Sequence, residues 1–316
     1  MNNNSSKVIE ILRTKRGKAV SGEQISSTLG ISRSAVWKQI KALREKGYRI
    51  SARSRFGYCL EEEPDHLDQE TLAALGIIYR DSVDSTNLVA RRLAEEGAPD
   101  FTTIIAEQQL SGKGRLGRSW LSPAGSGLWF SIIYRPAALT PAAVSPVTLV
   151  TAAVLADYLS REFNLSIQIK WPNDLQVDSK KIAGILTEIK GEPDRIDYLV
   201  IGIGLNVNQR ADDFSPEIAN IATSLAIETK MKIKRTDLLI NLRQELLNAY
   251  SLFEKEGFTP FRQIWIDHNI TLDRQVKINW PGGSMSGLAV GLSDEGLLIL
   301  KDAHDQIHQF SYGEVS

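Results

Sequence analysis

The chain has 316 residues, room for about two domains, and its 42% apolar and 24% charged residues describe a folded protein with ample core. The single cysteine, Cys59, excludes an intramolecular disulfide framework and a multi-cysteine zinc site. The net charge of −1 hides a split: residues 1–60 hold 13 Lys and Arg against 3 Asp and Glu, and the other 256 hold 24 against 35. A head at +10 on a body at −11 predicts a polyanion-binding segment joined to an acidic domain with other work.

Met1–Lys7 lacks the apolar core of a signal peptide. The longest charge-free stretch, Pro136 to Ala156, is broken by Pro141, Pro146 and several hydroxyls. It reads as a loop entering a buried helix, not as a membrane span, so the expectation is a cytoplasmic protein without membrane contact.

In the basic head, residues 7–14 suit a first helix. Ser21 and Gln24 form a capping-box pattern for a second helix that stops at Gly30, and Ser32 caps a third that carries Val36, Ile40 and Leu43 inward. Two short helices joined by Gly30-Ile31-Ser32 predict a helix-turn-helix. Two short strands around Arg53-Ser54-Arg55 then predict the wing of a winged helix. A charged helix face usually means only solvation, but capped helices, a basic face and an arginine-tipped hairpin together point to DNA. On that reading Arg33, Ser34 and Lys38 reach base edges, and Lys41, Arg53 and Arg55 hold phosphates, with Ser21 at the start of the second helix also facing the duplex. The acidic run Glu61–Asp65 marks a boundary near residue 63.

Asp81-Ser82-Val83-Asp84-Ser85-Thr86-Asn87 leads into a helix, where Ser85 alone suggests no more than an N-cap. A β-rich segment, Thr102–Ala106, precedes Gln109 and then Gly112-Lys113-Gly114-Arg115-Leu116-Gly117-Arg118, with three glycines and three cations in seven residues. Such a mobile, amide-rich, positive loop suits oxyanions. The spacing spells G-x-G-x-x-G, yet a dinucleotide fold needs a helix next and an acid about twenty residues on. Here loop and strand follow, and no Asp or Glu occurs between Glu107 and Asp157.

Lys170-Trp171-Pro172-Asn173-Asp174 ends a strand, and a turn leads to Lys180 and Lys181, one of which must face each side of the next strand. Paired turn lysines are mostly solvated, so the residues alone leave their role open. Gly202, Gly204, Asn206 and Asn208 share one face of a further strand, which fits either close ligand approach or tight packing on a helix. His304 and His308 have metal-like spacing, but without further ligands they read as surface residues.

Ser85-Thr86-Asn87, Gly112–Arg118, Lys170–Asp174, Lys181-Ile182-Ala183-Gly184 and Gly202-Ile203-Gly204-Leu205-Asn206 occur in one order. Together they resemble the biotin protein ligases (biotin–acetyl-CoA-carboxylase ligases), and with the winged helix the form that also represses biotin genes. The resemblance implies an α+β multidomain chain: a winged helix-turn-helix at 1–63, a class II synthetase-like α/β catalytic domain at 64–270 and an SH3-like β-barrel at 271–316. It implies biotin contacts from Ser85, Thr86, Asn87, Gln109, Lys113, Gly114, Arg115, Lys181, Gly184 and Gly204. ATP contacts fall to Gly112, Arg115, Arg118, Trp120, Asn173, Lys181 and Asn206, with Lys181 and Arg115 catalytic. Biotin and ATP are the implied substrates, with Mg²⁺ at ligands the sequence leaves unknown. The implied partners are a biotin carboxyl carrier protein of acetyl-CoA carboxylase, operator DNA of biotin genes, and a second copy in a ligand-promoted homodimer. One departure from the family pattern is Lys113, where arginine is usual; lysine keeps the charge but loses the bidentate fork. The competing readings are a catalytically inactive biotin-sensing repressor and a lipoate-type ligase.

Overall fold

In the computed structural model, which describes residues 3–15, 17–53, 56–63, 65–136, 139–140, 143–144, 146–192 and 194–316, the chain divides into two units. Met1–His66 with Pro123–Ser126 form the first, and Leu67–Ser122 with Gly127–Ser316 the second.

The first unit contains α1 (Asn3–Thr14), α2 (Gly22–Leu29), α3 (Arg33–Glu45), β1 (Arg49–Arg53) and β2 (Gly57–Glu62). Ser21 is extended, and its hydroxyl accepts the Gln24 amide at 3.0 Å, which starts α2. Gly30 closes α2 in the left-handed region at φ 64°, and Ser32 accepts the Ala35 amide at 3.2 Å to open α3. Val8, Ile25, Val36, Ile40, Leu43, Tyr48 and Leu60 form one buried cluster that binds the three helices to the hairpin. Val20 and Tyr58 exchange backbone hydrogen bonds of 2.8 Å, so the hairpin closes on the α1–α2 connection. Gly57 makes this approach possible, because a Cβ there would lie 2.1 Å from the Val20 carbonyl oxygen.

The second unit begins with α4 (Gln69–Ala74), β3 (Ile77–Val83), α5 (Thr86–Glu95), β4 (Thr103–Gln109) and β5 (Gly127–Tyr134). Then come α6 (Val147–Phe163), β6 (Gln168–Lys170), β7 (Asp174–Val177), β8 (Lys180–Glu192) and β9 (Arg195–Asn206). Three helices follow, α7 (Leu225–Thr229), α8 (Arg235–Glu256) and α9 (Thr259–His268). The chain ends in β10 (Gln275–Trp280), β11 (Gly283–Leu292), β12 (Leu298–Lys301), β13 (Ile307–Phe310) and β14 (Glu314–Val315).

Strands β3 to β9 make one seven-stranded sheet in the order β3-β4-β5-β9-β8-β7-β6, with β3 and β4 parallel and every other pair antiparallel. Its two faces follow the period of two along each strand. Ile104, Ile133 and Val200 turn toward Ala90 and Ala94 of α5, while Ile105, Ile132 and Ile201 join the larger cluster with α6, α8 and α9. The helix expected beyond the proline-rich stretch is α6, and its buried face supplies Leu149, Val150, Ala153 and Leu159.

The last five strands form an antiparallel sheet in the order β13-β12-β11-β10-β14. Val276, Ile278, Leu298 and Leu300 of that sheet belong to the same buried cluster as Ile169, Trp171 and the α6 side chains. The terminal sheet thus shares its core with the central sheet.

Candidate functional site

The α5 face of the central sheet carries two rows of residues set by register. Gly184, Gly204 and Trp129 lie side by side on β8, β9 and β5, and so do Leu186, Gly202 and Ser131. The glycines make this a floor that other groups can lie against. A Cβ on Gly202 would fall 2.1 Å from Asn87 Oδ1, and one on Gly204 would fall 2.5 Å from the Trp120 indole. Of ligand approach and helix packing, the structure shows protein packing: Asn87 of α5 lies against Gly202, and Trp120 of the glycine-rich loop lies against Gly204.

One wall of the cleft is polar and buried. Ser85 occupies the N-cap position of α5 but makes no side-chain cap bond, and it lines the cleft instead. The cap role falls to Gln109, whose Oε1 accepts the Thr86 amide at 2.8 Å. The Gln109 Nε2 donates to the Ser122 hydroxyl at 2.8 Å, which ties the wall to the far end of the loop. Ser131, fully buried, donates to Asn87 Oδ1 at 2.7 Å, because a carboxamide oxygen only accepts. That fixes the Asn87 amide with Nδ2 toward Glu188 at 2.7 Å.

The other wall is cationic. The loop read from sequence as mobile is folded on itself: Gly114 donates to the Arg118 carbonyl at 2.7 Å, and Trp120 donates to the Gly112 carbonyl at 2.8 Å. Leu116 at φ 56° and Gly117 at φ 75° make the reversal. Arg115 reaches out of the loop to Asn173 Oδ1 at 2.9 Å and to the Gly313 carbonyl at 2.8 Å. Burial pulls its guanidinium below the ordinary arginine pKa, opposed by the charges of Asp174 and Glu314. Arg118 pairs with Glu314, and that hydrogen bond holds the glutamate below the usual carboxylate range.

Of the two adjacent lysines, Lys180 is exposed and Lys181 turns into the cleft. Its ammonium lies 2.7 Å from Asp174 Oδ1, off the direction a hydrogen bond requires, and 5.2 Å from the Trp120 ring centroid. The Trp120 indole nitrogen is buried without a hydrogen-bond partner among the described residues. No cluster of three or more His, Cys, Asp or Glu suited to a metal occurs among the described residues. His308 instead faces Asp302 at 2.8 Å.

The cleft gathers every implied substrate-contact residue except two. Asn206 spends its amide on the Thr223 carbonyl at 2.9 Å and on Gln209 at 3.1 Å, so its side chain fastens a connection beyond β9. Gly112 is structural: a Cβ there would lie 2.4 Å from the Trp120 carbonyl oxygen. Lys170, Asp174, Gly202 and Glu314 line the cleft in addition. Asp174 had a signal, its place beside Asn173 in the Lys170–Asp174 run, whereas Glu314 arrives from the far end of the chain and had none.

In the first unit Arg33, Ser34, Lys38 and Lys41 are exposed on α3, opposite the buried Val36, Ile40 and Leu43. Ser21 is committed to capping α2. Arg53 lies in β1, while its side chain and Arg55 fall outside the described residues.

Family models match three segments: an HTH domain over residues 4–59, the Biotin/lipoate A/B protein ligase family over 79–206, and the Biotin protein ligase C terminal domain over 271–316. The chain is 36% identical over 303 residues to the bifunctional ligase/repressor BirA of Bacillus subtilis (strain 168), covering 93% of each. The chain belongs to the biotin protein ligase family. Its helix-turn-helix unit and the span of these matches put it with the bifunctional ligase/repressors. The BirA of Escherichia coli (strain K12) is 34% identical over 295 residues, covering 90% of this chain and 89% of that one. Among solved structures, a biotin protein ligase from Aquifex aeolicus in complex with biotin and ATP superposes with a TM-score of 0.66 at 30% identity, over 76% of this chain and 97% of that one. No helix among the described residues is long and apolar enough to cross a membrane.

Proposed function

We propose that the cleft joins biotin to ATP as biotinyl-5′-adenylate and then passes biotin to a lysine of a biotin carboxyl carrier protein. The observation that carries this reading is Lys181, held between Asp174 and the Trp120 ring in the cleft that Arg115 also lines. In the first step a biotin carboxylate oxygen attacks the α-phosphorus of ATP, the bond to the bridging oxygen breaks, and pyrophosphate leaves. A carboxylate is already ionised at neutral pH, so the step needs positioning and charge stabilisation rather than a general base. Lys181 bridges the carboxylate and the α-phosphate, while Arg115, Arg118 and Lys113 hold the phosphate chain and Asn173 orients Arg115. In the second step the acceptor amine attacks the activated carbonyl, loses a proton and expels AMP.

Ser85, Thr86, Asn87 and Gln109 present the polar wall for the fused ring of biotin, Gly184 and Gly114 let it lie close, and Gly204 seats the Trp120 ring. Trp120 supplies an aromatic face for adenine. Asp174 and Glu314 are the carboxylates of the cleft lining that would hold Mg²⁺ brought with the nucleotide, which would supply positive charge to the phosphate chain. The domain limits of 1–63, 64–270 and 271–316 assign operator binding to the first segment and both half-reactions to the other two. The setting is the cytoplasm, where carrier protein, ATP and DNA meet.

The second activity is repression of biotin genes through α3 and the wing, with biotinyl-adenylate as corepressor. The adenylate favours the folded form of residues 110–120, and that form favours a homodimer fitting a two-fold operator. A ligand shifts such an equilibrium only as far as it prefers one state. Incubation with biotin, ATP and an isolated carrier domain tests the ligase: a single biotinylated lysine is expected, and no transfer would refute it. Sedimentation with and without adenylate tests the coupling, and identical dimerisation constants would remove it.

A further inference from the structure

The exposed face of α3 carries one residue that solvation does not explain. Trp37 is 54% exposed at the middle of the face formed by Arg33, Ser34, Lys38 and Lys41. The intervals 33–37–41 and 34–38–41 are three and four residues, so these side chains are neighbours on one side of the helix. The Lys41 ammonium lies 6.0 Å from the indole centroid, and Lys41 also stands 3.9 Å from Glu45. Val36, Ile40 and Leu43 supply the packing of α3, so Trp37 is not needed for the core. A large aromatic ring among cations matches a partner that is negative overall with apolar spots between its charges. In the major groove of DNA those spots are the thymine methyl groups, flanked by phosphates. Trp37 is also the fifth residue of α3, within the part of a recognition helix that reaches base edges.

We propose that Trp37 reads thymine methyl groups in the major groove while Lys41 beside it holds the backbone. This rests on the DNA-binding reading of α3. Direct contact makes two effects separable. Removing Trp37 takes away an apolar contact without removing a charge, so affinity falls while the salt dependence stays. Removing Lys41 flattens the salt dependence by about one counterion.

The test uses the full chain with biotin and ATP, and duplexes it retains from a randomised library. Each thymine is then replaced in turn by uracil, which deletes only the 5-methyl group. The wild-type chain is expected to lose about fourfold in affinity at the contacted thymines, the effect of one buried methyl-sized group. Trp37→Ala is expected to bind about tenfold more weakly with an unchanged salt slope and no uracil penalty at those positions. Trp37→Phe, which keeps an apolar plate, should keep part of the penalty. Uracil penalties that persist in Trp37→Ala overturn the proposal. A flattened salt slope in Trp37→Ala with penalties intact also overturns it, and makes Trp37 a support for Lys41. If the wild-type chain retains no duplex, the DNA-binding reading itself fails and this proposal with it.

Discussion

The Lys181 ammonium stands 2.7 Å from Asp174 Oδ1 across the β7–β8 turn, and the pair sets where positive charge meets the cleft. Asp174→Asn leaves the lysine in place but removes the charge that aims it. Adenylate formation is expected to slow on the order of tenfold to a hundredfold, less than the hundred- to thousandfold typical of losing a transition-state donor. Biotin affinity, measured calorimetrically, should change little. An unchanged adenylation rate would show that Lys181 is positioned by other means.

The glycine floor makes a steric prediction. Gly202→Ala places a Cβ 2.1 Å from Asn87 Oδ1, so Asn87 must leave its bonds to Ser131 and Glu188. Overpacking of this kind costs about 1–3 kcal/mol, and biotin binding should weaken by roughly tenfold. Gly204→Ala meets the indole of Trp120 instead and should affect nucleotide more than biotin. Equal effects of both substitutions on both ligands would contradict this division of the floor.

How much of this was legible in the sequence depends on how local each feature is. Caps at Ser21 and Ser32, the left-handed Gly30 and the two-residue alternation of β9 are set by neighbouring residues, and they could be read directly. Ser85 by itself reads as an N-cap, and only the bond from the Thr86 amide to the Gln109 side chain shows that another residue does that work. Lys180 and Lys181 were equivalent until the β8 register pointed one inward. Asn206 shares a strand face with Gly204, yet Thr223 and Gln209 capture its side chain, and no spacing rule announces a partner across a connection. The same holds for Gly313 and Glu314, which meet the loop from 196 to 198 residues away.

A buried ion pair ties α8 to the strands on either side of the loop segment. Arg235 has no exposed surface, and its Nη2 lies 2.7 Å from Glu107 Oε1 while its Nη1 donates to the Gly127 carbonyl at 3.0 Å. Glu107 and Gly127 stand at the two stems of the segment that contains the cationic loop. Removing one partner of a buried pair costs about 3–5 kcal/mol, so Arg235→Met should lower the calorimetric unfolding temperature of the second unit markedly. Replacing both partners, Arg235→Met with Glu107→Leu, should recover much of that loss. A double variant as unstable as the single one would contradict the assignment.

Glu314 gives a pH dependence with a definite sign. Its folded pKa is lowered, chiefly by the Arg118 hydrogen bond, with burial opposing and the charges of Arg118, Lys170 and Arg115 assisting. A carboxylate depressed in the folded state contributes stability above its unfolded pKa, about 4.3, and loses it as pH falls through the lowered folded value. Unfolding midpoints of the wild-type chain and Glu314→Gln, followed from neutral to acid pH, should converge at the acid end. Both partners are substantially exposed, so the separation at neutral pH should be small.

The proposed reaction activates biotin on ATP through Lys181. Exchange of labelled pyrophosphate into ATP, measured with the full chain, Mg²⁺ and either biotin or lipoate, tests it most directly. The expected result is exchange that requires biotin, is not supported by lipoate, and falls by at least a hundredfold in Lys181→Ala. Exchange supported by lipoate alone, or near-normal biotin-dependent exchange in Lys181→Ala, would contradict it.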